Sequence, residues 1–324
     1  MLPLQQGASV LVVGGTGFIG RHLATKCLEL GAAVTVMTRA QRQTVWVAGA
    51  RHVHCDLRRR ESVAAALDGR AFQFVFNLGG YIDHTPYSAG GRDVIEQHLT
   101  GLMNLVDALD RPALRGFVQV GSSDEYGDQA APQSGPFNSA PISPYAFAKR
   151  ACTDLVRGLS SQEGFPGIAT RLFLVYGPGQ GTARLLPHVI QACLRDETFP
   201  VSPGEQTRDF CFVEDVVEGL ILAGVTTSAH GSSVNIASGE PVQIRDIIES
   251  VVRLTQGGKP QFGARPYRQG ESMALFADVS NTSTLLGWHR RTPLEEGLVR
   301  TIAAYRESTG VTTAQSADVA VERK

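Results

Sequence analysis

Residues 9–31 read SVLVVGGTGFIGRHLATKCLELG. The apolar run Val10–Val13 has the length of a buried parallel strand. It breaks at Gly14 and Gly15. From there Ile19, Leu23, Cys27 and Leu30 recur at helical spacing, up to Gly31, which suits a helix C-terminal cap. Strand, glycine turn and helix in that order predict an α/β fold on a Rossmann-type doubly wound parallel sheet. Gly14, Gly17 and Gly20 form G-x-x-G-x-x-G at the turn. Lacking a Cβ, the first two let the backbone turn tightly and approach a pyrophosphate, and the third lets the helix lie close to the sheet. The amides that open the helix then hold the anion, assisted by the helix dipole. Directly after a first strand, this pattern predicts dinucleotide binding.

The whole chain is compatible with that start. Its 324 residues suffice for one large α/β domain or two medium ones, and 43% hydrophobic with 19% charged residues is an ordinary globular profile. A net charge of −1 leaves no basic footprint for nucleic acid or an anionic membrane, and Arg58, Arg59 and Arg60 read as a solvated helix start. Five scattered cysteines without a Cys-x-x-Cys argue against a disulfide framework and a structural metal site. No stretch approaches the ~20 apolar residues of a membrane span, so the expectation is a soluble cytoplasmic protein with no metal.

Downstream, AAVTVMTR (32–39) predicts a second strand ending in Thr38 and Arg39. An acidic residue there would bind the 2′-hydroxyl of NAD, whereas an arginine suits a 2′-phosphate. NADP(H) is therefore favoured, with NAD(H) the alternative, since Arg39 could equally be plain surface. HVHCDL (52–57) ends near Asp56, a residue placed either for adenine or to cap the next helix. FQFVFNLGG (72–80) is a buried strand closing on Leu78, Gly79 and Gly80, small enough at its carboxyl end to leave room for a ligand. A helix is predicted over 93–109, with Leu99, Leu102, Leu105, Val106 and Leu109 as a core stripe.

The strand Phe117–Val120 delivers GSSDEYG (121–127), and SPYAFAKR (143–150) then sets Tyr145 and Lys149 four residues apart on one helical face. A free phenol titrates near 10, and a neighbouring ammonium favours the phenolate. Such a tyrosine supplies or removes the proton of a carbinol or carbonyl during hydride transfer, with a serine from the neighbouring strand end holding the same oxygen.

Taken together, GGTGFIG, NLGG, GSSDEYG, SPYAFAKR, RLFLVYGPGQ, RDFCFVEDVV, NIASG and LGW resemble, in order, the extended short-chain dehydrogenase/reductases acting on nucleotide sugars. The likeness runs from about Ser9 to Arg306. It implies catalytic roles for Tyr145, Lys149 and Ser122, the last aligned by anchoring Tyr126-Gly127; Ser123, Asp124 and Glu125 are secondary candidates. The implied cofactor contacts are Gly14, Thr16, Gly17, Phe18, Ile19, Gly20, Arg39, Asp56, Leu57, Leu78, Gly79 and Gly80, together with Tyr145 and Lys149. Arg184, Arg208 and Arg268 would face the sugar nucleotide. Where the family often has Asn in N-V-x-G-T, this chain has His98, read as a helix histidine bonded to backbone.

The same resemblance implies a cofactor domain over 1–175, with 213–238 returning to it. A smaller substrate-binding domain would take 176–212 and 239–310, followed by a loose tail over 311–324. It also implies a homodimer through the 93–109 and 145–160 helices. Among reactions, the segments are most similar to 4-keto-sugar reductases such as GDP-4-keto-6-deoxymannose reductases and CDP-abequose and CDP-paratose synthases. A nucleotide-sugar 4,6-dehydratase and an NAD-dependent 4-epimerase are the alternatives.

Overall fold

In a computed structural model the described residues are 4–39, 46–268 and 270–309; the tail expected over 311–324 lies outside them. The chain opens with β1 (Ser9–Val13), α1 (Phe18–Glu29), β2 (Ala33–Thr38), β3 (Arg51–His54), α2 (Arg60–Leu67) and β4 (Phe74–Asn77). One long helix follows in three parts: α3 (Arg92–Ile95), a π-helical segment (Glu96–Thr100) and α4 (Gly101–Ala108). Next come β5 (Gly116–Ser122), α5 (Pro144–Glu163), β6 (Gly167–Leu172), β7 (Leu174–Tyr176), α6 (Leu185–Leu194), β8 (Thr198–Val201) and β9 (Thr207–Phe212). The last elements are α7 (Val213–Val225), β10 (Ser233–Ile236), β11 (Pro241–Gln243), α8 (Ile244–Thr255), β12 (Lys259–Phe262), β13 (Ala274–Leu275), α9 (Ser280–Leu286) and α10 (Leu294–Thr309).

Seven strands form a parallel sheet in the order β10-β6-β5-β4-β1-β2-β3. The order reverses between β1 and β4, which is the topological switch point where such sheets hold ligands at their carboxyl ends. This is the Rossmann-type α/β sheet that the opening segment predicts. Its central strands are buried on both faces, as continuous apolar runs require. Two clusters fill those faces: one gathers Val10, Val12, Leu23, Val36, Phe76, Val118 and Leu220, the other Leu11, Val13, Val75, Leu102, Leu105, Phe117 and Val156. At about 25 cal/mol per Å², each such side chain contributes roughly 1.5–3 kcal/mol.

The chain divides into two compact units. The larger contains the residues up to Val175, Thr207–Pro241 and Ser272–Arg291. It therefore takes up β9 and the 272–291 segment as well as the 213–238 return. The buried carboxylate of Asp209 explains why: it accepts from the amides of Ser238, Gly239 and Ala277 and from the Ser238 hydroxyl. In addition, β13 pairs in parallel with β9. The smaller unit contains Tyr176–Gln206, Val242–Glu271 and the residues after Arg291. Within it β8 and β12 pair in parallel, and the Tyr176 hydroxyl donates to the Leu294 carbonyl at 3.2 Å. All five cysteines are buried and unpaired, and burial pushes the thiols of Cys27 and Cys152 up to about 12. Among the described residues no helix is long and apolar enough to cross a membrane, and no cluster of metal-ligating side chains occurs.

Candidate active site

The glycine turn between β1 and α1 fits a dinucleotide. Gly14 has φ +74°, and a Cβ there would meet the Leu78 carbonyl oxygen at 2.9 Å. At Gly20 a Cβ would lie 2.3 Å from the Gly14 oxygen, so only glycine lets α1 close onto the turn. Gly17 is the N-cap of α1 and offers no side-chain cap, leaving the opening amides of Phe18, Ile19 and Gly20 to an external anion. The Thr16 and Thr38 hydroxyls lie 2.9 Å apart and tie this turn to the end of β2. Facing it, Gly79 lies so close to Leu57 and Val13 that a Cβ would meet them at 2.8 and 3.0 Å.

Arg39 is exposed, and its guanidinium reaches Gln97 Oε1 on the π-helical segment at 3.4 Å. Asp56 instead grips the Arg58 guanidinium through both oxygens, at 3.1 and 2.8 Å, and that contact lowers its pKa. Leu57 is buried under α4, where the Asn104 amide donates to its carbonyl.

On the other side of the switch point, α5 begins at Ser143, whose hydroxyl accepts from the Ala146 amide, with Pro144 in the first turn. That start places Tyr145 and Lys149, 4% and 5% exposed, against the end of β5. Lys149 Nζ donates to the Val120 carbonyl at 2.9 Å and stands 5.8 Å from the Tyr145 ring centre. Burial lowers the lysine pKa, opposed by Cys152, Glu125 and Asp124. A charge held this near a phenol favours the phenolate.

Two histidines flank the same ring, each 5.5 Å away and nearly edge-on. His98 is buried in the π-helical segment and bonds the Tyr81 carbonyl through Nε2 at 3.0 Å, the backbone partnership expected of it. Burial and the nearby Lys149 hold it neutral, with a pKa lowered to about 3. Its ring occupies the space above Gly80 (φ +115°), where a Cβ would meet Cε1 at 2.0 Å. His84 comes from the loop after β4, where Asp83 accepts from the amide and hydroxyl of Thr85. His84 Nε2 faces Asp124 Oδ2 at 3.7 Å.

The short 3₁₀ turn Ser123–Tyr126 separates the two adjacent acids. Ser122 caps it, its hydroxyl accepting from the Asp124 amide at 3.2 Å. Asp124 stays on the tyrosine's side, whereas Glu125 is fully buried behind the strand. Glu125 Oε1 accepts from the Ser122 amide, and Oε2 accepts from Thr153 Oγ1 and Arg171 Nε, all at 2.9 Å. A Cβ at Gly121 would lie 2.1 Å from Glu125 Oε1, so the strand end is shaped around this carboxylate. Ser123 is buried as well. Thr153 and Arg171, to which the motifs assign no role, therefore belong to the scaffold behind Ser122. Arg208 is buried in β9 of the larger unit and donates to the Thr207 carbonyl at 2.8 Å, while Arg184 and Arg268 are exposed in the smaller unit.

Residues 10–237 match the model of the NAD dependent epimerase/dehydratase family. The chain belongs to that family. This epimerase/dehydratase-family enzyme is 28% identical over 313 residues to UDP-glucuronic acid decarboxylase 1 of Xenopus tropicalis, covering 92% of this chain and 72% of that one. It is 26% identical to the dTDP-glucose 4,6-dehydratase of Xanthomonas campestris pv. campestris, covering 92% and 93%. Among solved structures, MoeE5 in complex with UDP-glucuronic acid and NAD superposes with a TM-score of 0.82 at 28% identity, covering 93% of this chain and all (100%) of that one. The UDP-glucose 4-epimerase of Thermotoga maritima superposes with a TM-score of 0.85 at 24% identity, covering 93% and 99%, and shows the shared fold. The family is described as NAD dependent, and the relatives named here bear the names of nucleotide-sugar enzymes or hold a nucleotide sugar.

Proposed function

We propose that this enzyme reduces the C4 ketone of a nucleoside-diphosphate 4-keto-6-deoxyhexose, using NADP(H). The observation that carries the reading is Tyr145 beside Lys149, on the same sheet edge as the glycine cradle. A bound nicotinamide supplies the hydride. Tyr145 gives the proton to the carbonyl oxygen as it becomes an alkoxide, and the Ser122 hydroxyl holds that oxygen. Lys149 favours the phenolate left behind. Arg39, with no acid at the end of β2, supports NADP(H) over NAD(H). Glu125 supports reduction over dehydration, because both its oxygens are engaged with Ser122, Thr153 and Arg171. It is a scaffold group in this reading.

The second reading retains the cofactor and turns over an intact nucleotide hexose by epimerisation or dehydration, or a nucleotide hexuronate by decarboxylation. The names of the relatives favour it, as does the NAD held by MoeE5. Purified enzyme is mixed with NADPH or NADH and GDP-, CDP- and dTDP-4-keto-6-deoxyhexoses, with loss of reduced-nicotinamide absorbance as the readout. NADPH consumption that falls about 100-fold or more in Tyr145→Phe supports the proposal. Conversion of an intact nucleotide hexose without added reductant replaces it with the second reading. Arg39→Asp weakens NADPH about tenfold and spares NADH; equal effects on both remove the NADP(H) assignment.

Arg184, Arg208 and Arg268 are taken to be the arginines that bind the nucleotide sugar. The enzyme is taken to pair as a homodimer through α4 and α5, where Met103 and Phe147 are 43% and 48% exposed. A single monomer mass in sedimentation at assay concentration would remove the dimer.

A further inference from the structure

Two histidines flank Tyr145, and only one of them is sealed. His98 is buried and its Nε2 is committed to the Tyr81 carbonyl. The His84 side chain is 54% exposed, and Asp124, its facing carboxylate, is 28% exposed. Both sit at the carboxyl edge of the sheet, on the loops that follow the neighbouring strands β4 and β5. Neither is loosely placed. The Asp83–Thr85 bonds fix the turn that carries His84, and the Ser122 hydroxyl fixes the Asp124 amide. The charged and titratable groups around the imidazole are Asp83, Asp124 and Tyr145.

We propose that His84, paired with Asp124, is a second proton-transfer group that removes and returns hydrogen at a carbon adjacent to the C4 ketone. This rests on the keto-sugar reading above. A carbonyl makes the hydrogens on its flanking carbons acidic, and the hydroxyls that hold its oxygen, Ser122 and Tyr145, hold the enolate oxygen equally well. The C–H bond breaks, its electron pair forms the C=C of the enolate, and the proton goes to His84. Asp124 steadies the imidazolium, and the exposed ring trades its proton with solvent. Return of a proton to the same carbon restores the ketone. No electrons are gained or lost, so the step needs no reductant. The enzyme is thereby an exchanger of hydrogen beside the ketone as well as a reductase.

The test uses the full-length enzyme in D₂O with oxidised NADP⁺ and each of the GDP-, CDP- and dTDP-4-keto-6-deoxyhexoses. Deuterium is located by NMR, and NADPH oxidation is assayed separately. Wild-type enzyme is expected to label a carbon next to C4 faster than a buffer control. In His84→Gln and in Asp124→Asn the ratio of exchange to NADPH oxidation should fall at least about tenfold. Circular dichroism checks that both variants fold. Wild-type exchange no faster than buffer, or an unchanged ratio in folded His84→Gln, overturns the proposal. NADPH oxidation without exchange leaves the reductase reading standing and sinks this one. Exchange lost in His84→Gln, without NADPH oxidation in any form, does the reverse.

Discussion

Replacing His98 by asparagine should change how the protein responds to acid. The imidazole is buried beside Lys149 and is held neutral down to about 3, against 6.5 for the free side chain. Between those values the unfolded chain takes up a proton that the native site refuses. Stability therefore rises with pH across that window, and is lost as pH falls below 6.5. Each pH unit below that value costs about 1.4 kcal/mol, or about 2 kcal/mol by about pH 5. Asparagine has nothing to titrate. Urea denaturation of both proteins from neutral pH to about pH 5 reads the effect, since carboxylates titrating in both cancel in the difference. The wild type should lose about 2 kcal/mol more than His98→Asn. Equal losses would refute the claim that the site keeps this imidazole neutral.

Other outcomes follow from the same site. Glu125→Gln leaves Arg171 buried without its counter-charge and should cost about 3–5 kcal/mol, whereas joint replacement of both by methionine should cost clearly less than the sum of the single changes; strict additivity in denaturant would show that the pair is not coupled. Lys149→Met should abolish turnover yet raise the urea midpoint near neutral pH, because the native interior disfavours the ammonium there and loses that penalty only as pH rises through the lysine's range. A lowered midpoint would mean that the Val120 bond and the acidic neighbours outweigh burial. Gly20→Ala drives a Cβ into the Gly14 oxygen and should cost about 1–3 kcal/mol as well as nicotinamide binding; calorimetric titration with unchanged affinity would show that the cradle is not where the cofactor lies.

The parts of this site legible from the chain are those that repeat a local rule. The β1–α1 turn declares itself because strand, glycines and helix are contiguous, and Tyr145 and Lys149 declare themselves because four residues make one helical turn face. What stays hidden depends on contacts between distant segments. Asp124 and Glu125 are adjacent in sequence, and only the 3₁₀ turn, capped by Ser122 and closed by Arg171 from β6, decides that one faces the tyrosine and the other is interred. The π-helical segment adds a residue to the turn, which carries Gln97 and His98 inward, and nothing in EQHLT marks that extra residue. His84 lies in a loop with no periodicity to read, and its meaning comes from the strand order that sets β4 beside β5. The 272–291 segment joins the larger unit because Asp209 and Gln133 bond to its backbone, links across 68 and 143 positions of sequence.

The buried cysteines make the protein its own reporter of opening. A thiol reagent needs an accessible thiolate, and none of these five sulfurs offers one in the folded state. Four of them, Cys27, Cys55, Cys152 and Cys211, belong to the larger unit, and Cys193 alone belongs to the smaller. Alkylation followed by peptide mass mapping would therefore record, molecule by molecule, which unit had come apart first. Cys193 labelled before the rest would mean that the smaller unit melts while the nucleotide cradle stays intact; simultaneous labelling would mean that the chain opens as one.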